Sequence, residues 1–451
     1  MTSLWFEWTL LSSGWAPRTR VIGAAGKISA IEAGVEARAT DERHGVGLPG
    51  LGNLHSHAFQ RGLAGLTERR GPDHDDFWTW RELMYQFVER VRPEDLEALT
   101  ALAYADMLEG GFTHVGEFHY LHHDRDGRPF ADPGELATRI AAAAAATGIG
   151  LTLLPSFYAH SGFGGREPTP RQQRFINDTQ TFARILESSR RAVRCVPGGK
   201  TGVAPHSLRA VTPRELTEVI DLAHGEVVHM HVCEQMKEVE DCLAWSGLRP
   251  IEWLTQHCRL TERWCLVHAT HSNASEQAAI AKSGAIVGLC PITEANLGDG
   301  IFAAREYLAA GGHFGIGTDS NIRLDAAEEL RTLEYSQRLS RRARNVLAPN
   351  NGDSTGKALY EAALQGAARA LEAPDGLQVG SSLDVVSLDT RHPDLAERSP
   401  DAMLDSWVFS GGRSLVDCVW RAGEKVVSGG RHRRRAAIVD AYRRALARLL
   451  A

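Results

Sequence analysis

Residues 45–57 read GVGLPGLGNLHSH. A short apolar run ends in two histidines at i and i+2. The pleat of a strand has a period of two, so His55 and His57 point to the same side. Seven further apolar runs follow: THVGEFHY (113–120), GLTLLPSF (150–157), GKTGVAPHS (199–207), EVVHMHVCE (226–234), RWCLVHAT (263–270), AIVGLCPIT (285–293) and HFGIGTDSN (313–321). Helical stretches such as PEDLEALTALAYADMLEGG (93–111) and NASEQAAIAKSG (273–284) lie between most of them. Eight strand–helix units over residues 49–371 are the arithmetic of a (β/α)8 barrel. The expected class is α/β, a TIM-type barrel whose strand ends form the mouth of a site.

The two chain ends read differently. Residues 1–48 contain LWFEWTLLSSGW (4–15) and RVIGAAGKISAIEAG (20–34), and residues 372–451 contain GLQVGSSLDVVSLDT (376–390) and SLVDCVWRAGEKVVSGG (414–430). Both are hairpin patterns. Neither end can build a sizeable core alone, so the expectation is one small β-sandwich made from both. The chain closes on RHRRRAAIVDAYRRALARLLA (431–451). This is an amphipathic basic helix, expected to pack on the body or on a second subunit with a solvated face outward.

Composition removes several classes. Of 451 residues, 43% are hydrophobic and 24% charged, which excludes a disordered or fibrous chain. Fifty basic against 56 acidic residues give −6, which argues against a nucleic-acid surface. The apolar stretch 140–155 is too short and too broken by glycine to span a bilayer. The N-terminus lacks a basic start and carries Glu7 in its apolar part, unlike a signal peptide. Seven cysteines with irregular spacing and no CxxC fit a reducing, cytoplasmic compartment.

Nineteen histidines are the unusual count. Beyond HxH, strand five ends in His229-Met230-His231-Val232-Cys233-Glu234, strand six in Val267-His268-Ala269 and strand eight in Gly317-Thr318-Asp319-Ser320-Asn321. Polar groups at the ends of apolar strands are costly without a partner. Three histidines and an aspartate around one metal leave a position for water, the arrangement of a catalytic zinc site. Such a metal brings the pKa of bound water to about 7.

In this combination of strand ends the chain resembles the amidohydrolase superfamily, over essentially its whole length. The resemblance implies a metal-bearing barrel with a small β-sandwich from both chain ends. Strand four reads GVAPHS and lacks the bridging lysine of dinuclear members, while Lys200 stands at the strand's wrong end. His231-x-x-Glu234 is the mark of the mononuclear deaminase branch. By that resemblance His55, His57, His231 and Asp319 hold one divalent metal, with Zn2+ the best fit and iron known in relatives. Asp319 would also take the proton of the attacking water, His268 would hold and polarise the water oxygen, and Glu234 would shuttle protons to the substrate nitrogen. Without the metal pattern, Glu234 reads as a carboxylate at a helix N-terminus. Cys233 reads as a small buried residue.

The loops suggest the ligand. HSHAFQRGLAG (55–65), FWTWRELMY (77–85), GEFHYLHHDRDG (116–127) and APHSLRAV (204–211) place two arginines near the mouth, and arginine grips carboxylates bidentately. Taken singly, either arginine could be an ordinary surface ion pair. Trp78 and Trp80 read as packing or lid residues, and His122 and His123 as loop residues. These segments look like those of superfamily members that hydrolyse N-formimidoyl-L-glutamate to N-formyl-L-glutamate and ammonia in histidine degradation. The likeness implies substrate contacts from Gln60, Arg81, Tyr120, His206 and Arg209, a dicarboxylate small-molecule substrate, no nucleic-acid or membrane partner, and a homodimer. Two alternatives stay open. One is a related deaminase acting on guanine or on S-adenosylhomocysteine and methylthioadenosine. The other is a zinc-stabilised binding protein, against which the spare Glu234 and His268 argue.

Overall fold

The computed structural model describes residues 2–71 and 75–451. The chain starts with β1 (Thr2–Leu11), β2 (Gly14–Ala24), β3 (Lys27–Glu32) and β4 (Glu42–Pro49). Eight strands follow: β5 (Leu51–Ser56), β6 (Phe112–His119), β7 (Gly150–Phe157), β8 (Lys200–Pro205), β9 (Val227–Val232), β10 (Trp264–His268), β11 (Ile286–Leu289) and β12 (His313–Ile316). They lie in sequence order in one sheet and pair parallel throughout. All eight strands anticipated from the apolar runs are present. Nearly every residue in them is buried, as a parallel sheet covered by helices requires.

The helices between them carry legible punctuation. Thr212 and Asn273 cap their helices by accepting from the amides of Glu215 and Glu276, while Pro213 occupies the first helical turn after Thr212. Gly148, Gly247 and Gly284 end three helices in the left-handed conformation that glycine adopts without penalty.

The sheet closes at its C-terminal rim. Ser56 bridges Asp319, the His57 amide donates to Asp319 O at 2.9 Å, and the amides of Thr318 and Asp319 both donate to His55 O at 3.0 Å. The seam joining the first and last barrel strands therefore lies where the HxH pair and the aspartate stand. At the opposite end, the last barrel helix (Thr355–Leu371) turns its C-terminus under the barrel. Leu371 and Ala370 pack with Leu54, Val267 and Ile286. Thr152 Oγ1 donates to Leu371 O at 2.7 Å, and His229 Nε2 to Ala370 O at 2.7 Å. Gly366 makes this approach possible: a Cβ there would stand 1.8 Å from Phe314 O. Gly366→Ala is expected to lower stability by about 1–3 kcal/mol through displacement of this helix. An unchanged denaturation midpoint would contradict that packing.

After the barrel come β13 (Val385–Leu388), β14 (Val416–Arg421), β15 (Glu424–Ser428) and β16 (Arg431–His432). They join the N-terminal strands in the order β16-β15-β14-β13-β4-β1-β2-β3. The small β-layer expected from both chain ends is present, formed as one continuous curled sheet. The cause is β4, which pairs parallel with β1 on one side and antiparallel with β13 on the other. The sheet folds back on itself, with Lys27 bridging Ser382 and the Ile28 amide donating to Ser381 O at 2.8 Å. Phe6 and Trp420 meet edge-on inside the curl, 6.5 Å apart, among Leu4, Val21 and Val385.

The basic C-terminal helix (Arg435–Leu450) packs on the body, against the helix Pro93–Glu109. Arg435 pairs with Asp106 and Arg448 with Asp95, while Ile438 meets Leu102 and Ala105. Among the described residues, no helix is long and apolar enough to cross a membrane.

Candidate metal centre and active site

His55 stands at the end of β5 and His57 just past it, with ring centroids 4.7 Å apart, while His229 and His231 lie two residues apart on β9. The deeper His229 is used at the barrel floor, as above. His231 sits at the rim. The strand ends then bend sharply: Cys233, His268, Ala269, Asp319 and Asn321 all have positive φ, between 42° and 69°. Such backbone is costly for residues other than glycine and clusters at functional sites.

His57 Nδ1 donates to Phe118 O at 2.8 Å, and His231 Nδ1 to His206 O at 3.0 Å. A carbonyl can only accept, so each ring presents a bare Nε2 to the centre. There His55 Nε2 stands 3.1 Å from His231 Nε2 and 3.4 Å from Asp319 Oδ1, and His57 Nε2 stands 3.4 Å from the same oxygen. The four donor atoms all lie within 4.8 Å of one another, and all four residues are buried. Lone pairs and a carboxylate converging at such distances repel unless a cation lies among them. The donor set of three imidazoles and one carboxylate fits a divalent metal of the zinc type. Burial, with the neighbouring imidazoles, pushes His55 down to about 3 despite Asp319, and pushes His231 far down, so both are neutral donors. Burial alone would raise Asp319, but the His55 hydrogen bond and the surrounding histidines hold it well below the usual carboxylate range.

Two further groups face this centre. His268 Nε2 is buried without a hydrogen-bond partner, 3.7 Å from Glu234 Oε1 and 3.9 Å from Asp319 Oδ2. Its Nδ1 lies 3.2 Å from Glu294 Oε1. Burial opposes charge on this ring, but the Glu234, Glu294 and Asp319 carboxylates raise it to about 10. Burial raises Glu234 to about 7, against the pull of His268. Glu234 lies just ahead of the helix Met236–Ser246, whose N-cap is Gln235, and its side chain points into the cavity.

The cavity above the centre spans about 570 Å³, counting the space open to solvent at its mouth. His57, His231, Asp319 and Glu234 form its floor, and Gln60, Arg81, Tyr120, His206 and Arg209 line its walls. Every one of the eleven residues singled out in the sequence thus comes to one place. Gln60 Nε2 donates to Tyr120 OH at 2.9 Å, leaving Gln60 Oε1 without a partner. Trp80 lines the cavity, which its reading as a packing or lid residue did not single out. His122 and His123 are buried and donate to Ser156 O and Ile176 O, away from the centre. Cys233 is fully buried, and burial pushes its thiol far up, so it is no nucleophile. Lys200 is at the start of β8, paired with Glu372.

Several residues of the site were not read from the sequence. Glu294, which orients His268, stands in the first turn of the short helix Pro291–Leu297 after β11. Tyr85, Tyr158 and Phe175 complete the apolar wall. Asp299 is a buried carboxyl raised to about 9, by burial first and then by Glu234, and it accepts from Gln235. A chain of Asn53, Thr318, Asn321, Ser56 and Glu117 backs the seam, with Asn53 Nδ2 to Thr318 Oγ1 at 2.7 Å and Ser56 Oγ to Glu117 Oε2 at 2.8 Å.

Comparison with known proteins agrees with this geometry. Residues 46–426 match the model of the Amidohydrolase family, and residues 1–45 match that described as Formimidoylglutamate deiminase HutF, N-terminal domain. The formimidoylglutamate deiminase of Pseudomonas aeruginosa is 49% identical over 435 residues, 96% of either chain. The 8-oxoguanine deaminase of the same species is 28% identical, over 86% of this chain and 84% of its own. The crystal structure of an amidohydrolase from Brucella melitensis superposes with a TM-score of 0.97 at 55% identity, covering 100% of both chains. An adenosine deaminase from Xanthomonas campestris, solved with bound zinc, shares the fold, with a TM-score of 0.83 at 24% identity over 100% of this chain and 98% of its own.

Proposed function

The chain belongs to the amidohydrolase family, and from that premise we propose that it hydrolyses N-formimidoyl-L-glutamate to N-formyl-L-glutamate and ammonia, the deimination step of histidine degradation. One observation carries the reading: a single cavity joins a three-histidine, one-aspartate donor set and a facing Glu234–His268 pair to two arginines on its wall. The near relative named for this activity and the match of residues 1–45 support the same substrate.

His55, His57, His231 and Asp319 hold one divalent metal in this reading, zinc by the donor set. When bound, it supplies Lewis-acid chemistry that lowers the pKa of water to about 7. Asp319 accepts a proton from the attacking water, and His268, oriented through Nδ1 by Glu294, hydrogen-bonds to the water oxygen. The oxygen adds to the formimino carbon while Glu234 delivers a proton to the imine nitrogen. As the tetrahedral carbon collapses to the formyl carbonyl, Glu234 takes the hydroxyl proton and passes it to that nitrogen, the C–N bond breaks and ammonia leaves, and the proton held by Asp319 returns to Glu234. Gln60, Arg81, Tyr120, His206 and Arg209 bind the glutamyl part, the arginines taking its carboxylates.

Residues 49–371 serve as the catalytic barrel and 1–48 with 372–451 as one composite domain. The end of β4 at Pro49 and of the last barrel helix at Leu371 support this division. A cytoplasmic location accords with seven cysteines that are all free. A homodimer follows from the family resemblance.

The test is ammonia release by the zinc-loaded protein from N-formimidoyl-L-glutamate, guanine and adenosine derivatives in parallel. Turnover of the formimino compound alone is expected. Turnover of a purine with none of the formimino compound would transfer the assignment to the purine deaminases.

A further inference from the structure

We propose that Trp78, which lies outside the lining of the cavity, is a positioning residue for substrate recognition. Its ring is the common platform that holds Arg81 and Arg209 as a pair of cations for two carboxylates. The inference rests on the dicarboxylate reading above and deepens it.

Trp78 and Arg81 stand in the helix Phe77–Val88, whose first turn is fixed by Asp76 accepting from the amides of Trp78 at 2.9 Å and Thr79 at 3.1 Å. The i, i+3 spacing puts Trp78 and Arg81 on one face. Arg81 Cζ lies 4.5 Å from the Trp78 ring centroid and 5.5 Å from that of Tyr85. Arg209 arrives from a different element, the loop after β8, yet its Cζ lies 5.7 Å from the same Trp78 ring. Two like charges drawn to one ring repel each other, and the negative face of the indole offsets that repulsion.

The Nε of both arginines is buried without a hydrogen-bond partner. Among the described residues no carboxylate pairs directly with either guanidinium: Glu238 and Glu234 act on Arg209 only at longer range, so the N–H edges are not taken up by an acid that would compete with an incoming carboxylate. An aromatic platform fixes the guanidinium planes and leaves those edges available. The two cations come from separate barrel loops, which suits a ligand with two separated anionic groups better than one with a single carboxylate.

The test compares wild type with Trp78→Leu and Trp78→Phe, all metal-loaded. Glutarate and butyrate serve as di- and monocarboxylate probes in calorimetry, alongside steady-state kinetics. Trp78→Leu is expected to weaken glutarate about tenfold and to raise KM for N-formimidoyl-L-glutamate by a similar factor. Its kcat stays within about threefold and butyrate binding barely moves. Trp78→Phe restores most of the loss, since a ring remains. Unchanged glutarate affinity in Trp78→Leu, equal weakening of both probes, or no rescue by Phe would each overturn the platform. The two readings fail separately. If the protein turns over purines alone but loses its glutarate preference on losing Trp78, the substrate assignment falls and the platform stands. If it turns over the formimino compound while Trp78→Leu binds glutarate normally, the reverse holds.

Discussion

Glu234→Gln is expected to keep its metal and lose its turnover, with kcat falling by about 10²–10⁴-fold. Gln preserves the size of the side chain and its capacity for hydrogen bonding but cannot donate and recover a proton. Glu234 stands outside the four converging donor atoms, on the cavity floor beside them, with His268 Nε2 3.7 Å away. Removing its charge therefore leaves the donor set whole. Its environment suits a shuttle. Burial raises it to about 7, where protonated and ionised forms are both available. The measurement pairs metal content with single-turnover and steady-state rates. A variant that keeps half or more of the wild-type rate would remove Glu234 from the proton path. One that loses its metal would make it a structural support of the centre.

The strand ends were legible because their environment is extreme. A parallel strand covered on both faces reads as an unbroken apolar run, so a histidine or aspartate at its end stands out, and the HxH spacing marks His55 and His57 as a pair, although His57 falls just past the strand. Caps such as Thr212 with Glu215 and Asn273 with Glu276 mark helix starts in the same local way. Glu294 carries no such mark. It acts only because the short helix Pro291–Leu297 after β11 meets His268, and no spacing within either segment encodes that meeting. Tyr158 and Phe175 were hidden for the same reason, since both reach the cavity from the long connection between β7 and the helix Thr179–Ala192. The union of the two chain ends in one β-layer was legible, but the strand order that joins them was out of reach. The hairpins are local, but β4 joins β1 to β13 across more than three hundred residues of intervening chain, and edge pairing of that kind leaves no periodic trace. The charge balance misled in a milder way. A whole-chain sum of −6 gives no hint that two guanidiniums share one ring at the cavity wall.

Asp319→Asn is expected to lose both metal and turnover, the latter by about 10³-fold or more. Asp319 is the only anion among the four converging donors, and the three imidazoles are kept neutral by burial. Without its charge, nothing in the donor set compensates a divalent cation for leaving water. The substitution is a clean one. Asp319 has φ of 42°, a left-handed backbone that Asn tolerates well, so the seam hydrogen bonds from His57 and to His55 can persist. Metal affinity should therefore fall without a comparable loss of thermal stability beyond that due to the metal itself. Saturating metal then separates the two roles. If Asp319 only holds the ion, excess zinc restores the rate; if it also accepts the proton of the attacking water, occupancy returns and kcat does not. The second result is expected, because His268 is already committed to Glu294 and flanked by Glu234, leaving Asp319 as the acceptor nearest the donor cluster. Full recovery of kcat on metal addition would move the general base elsewhere, and Glu234 would be the first residue to test for it.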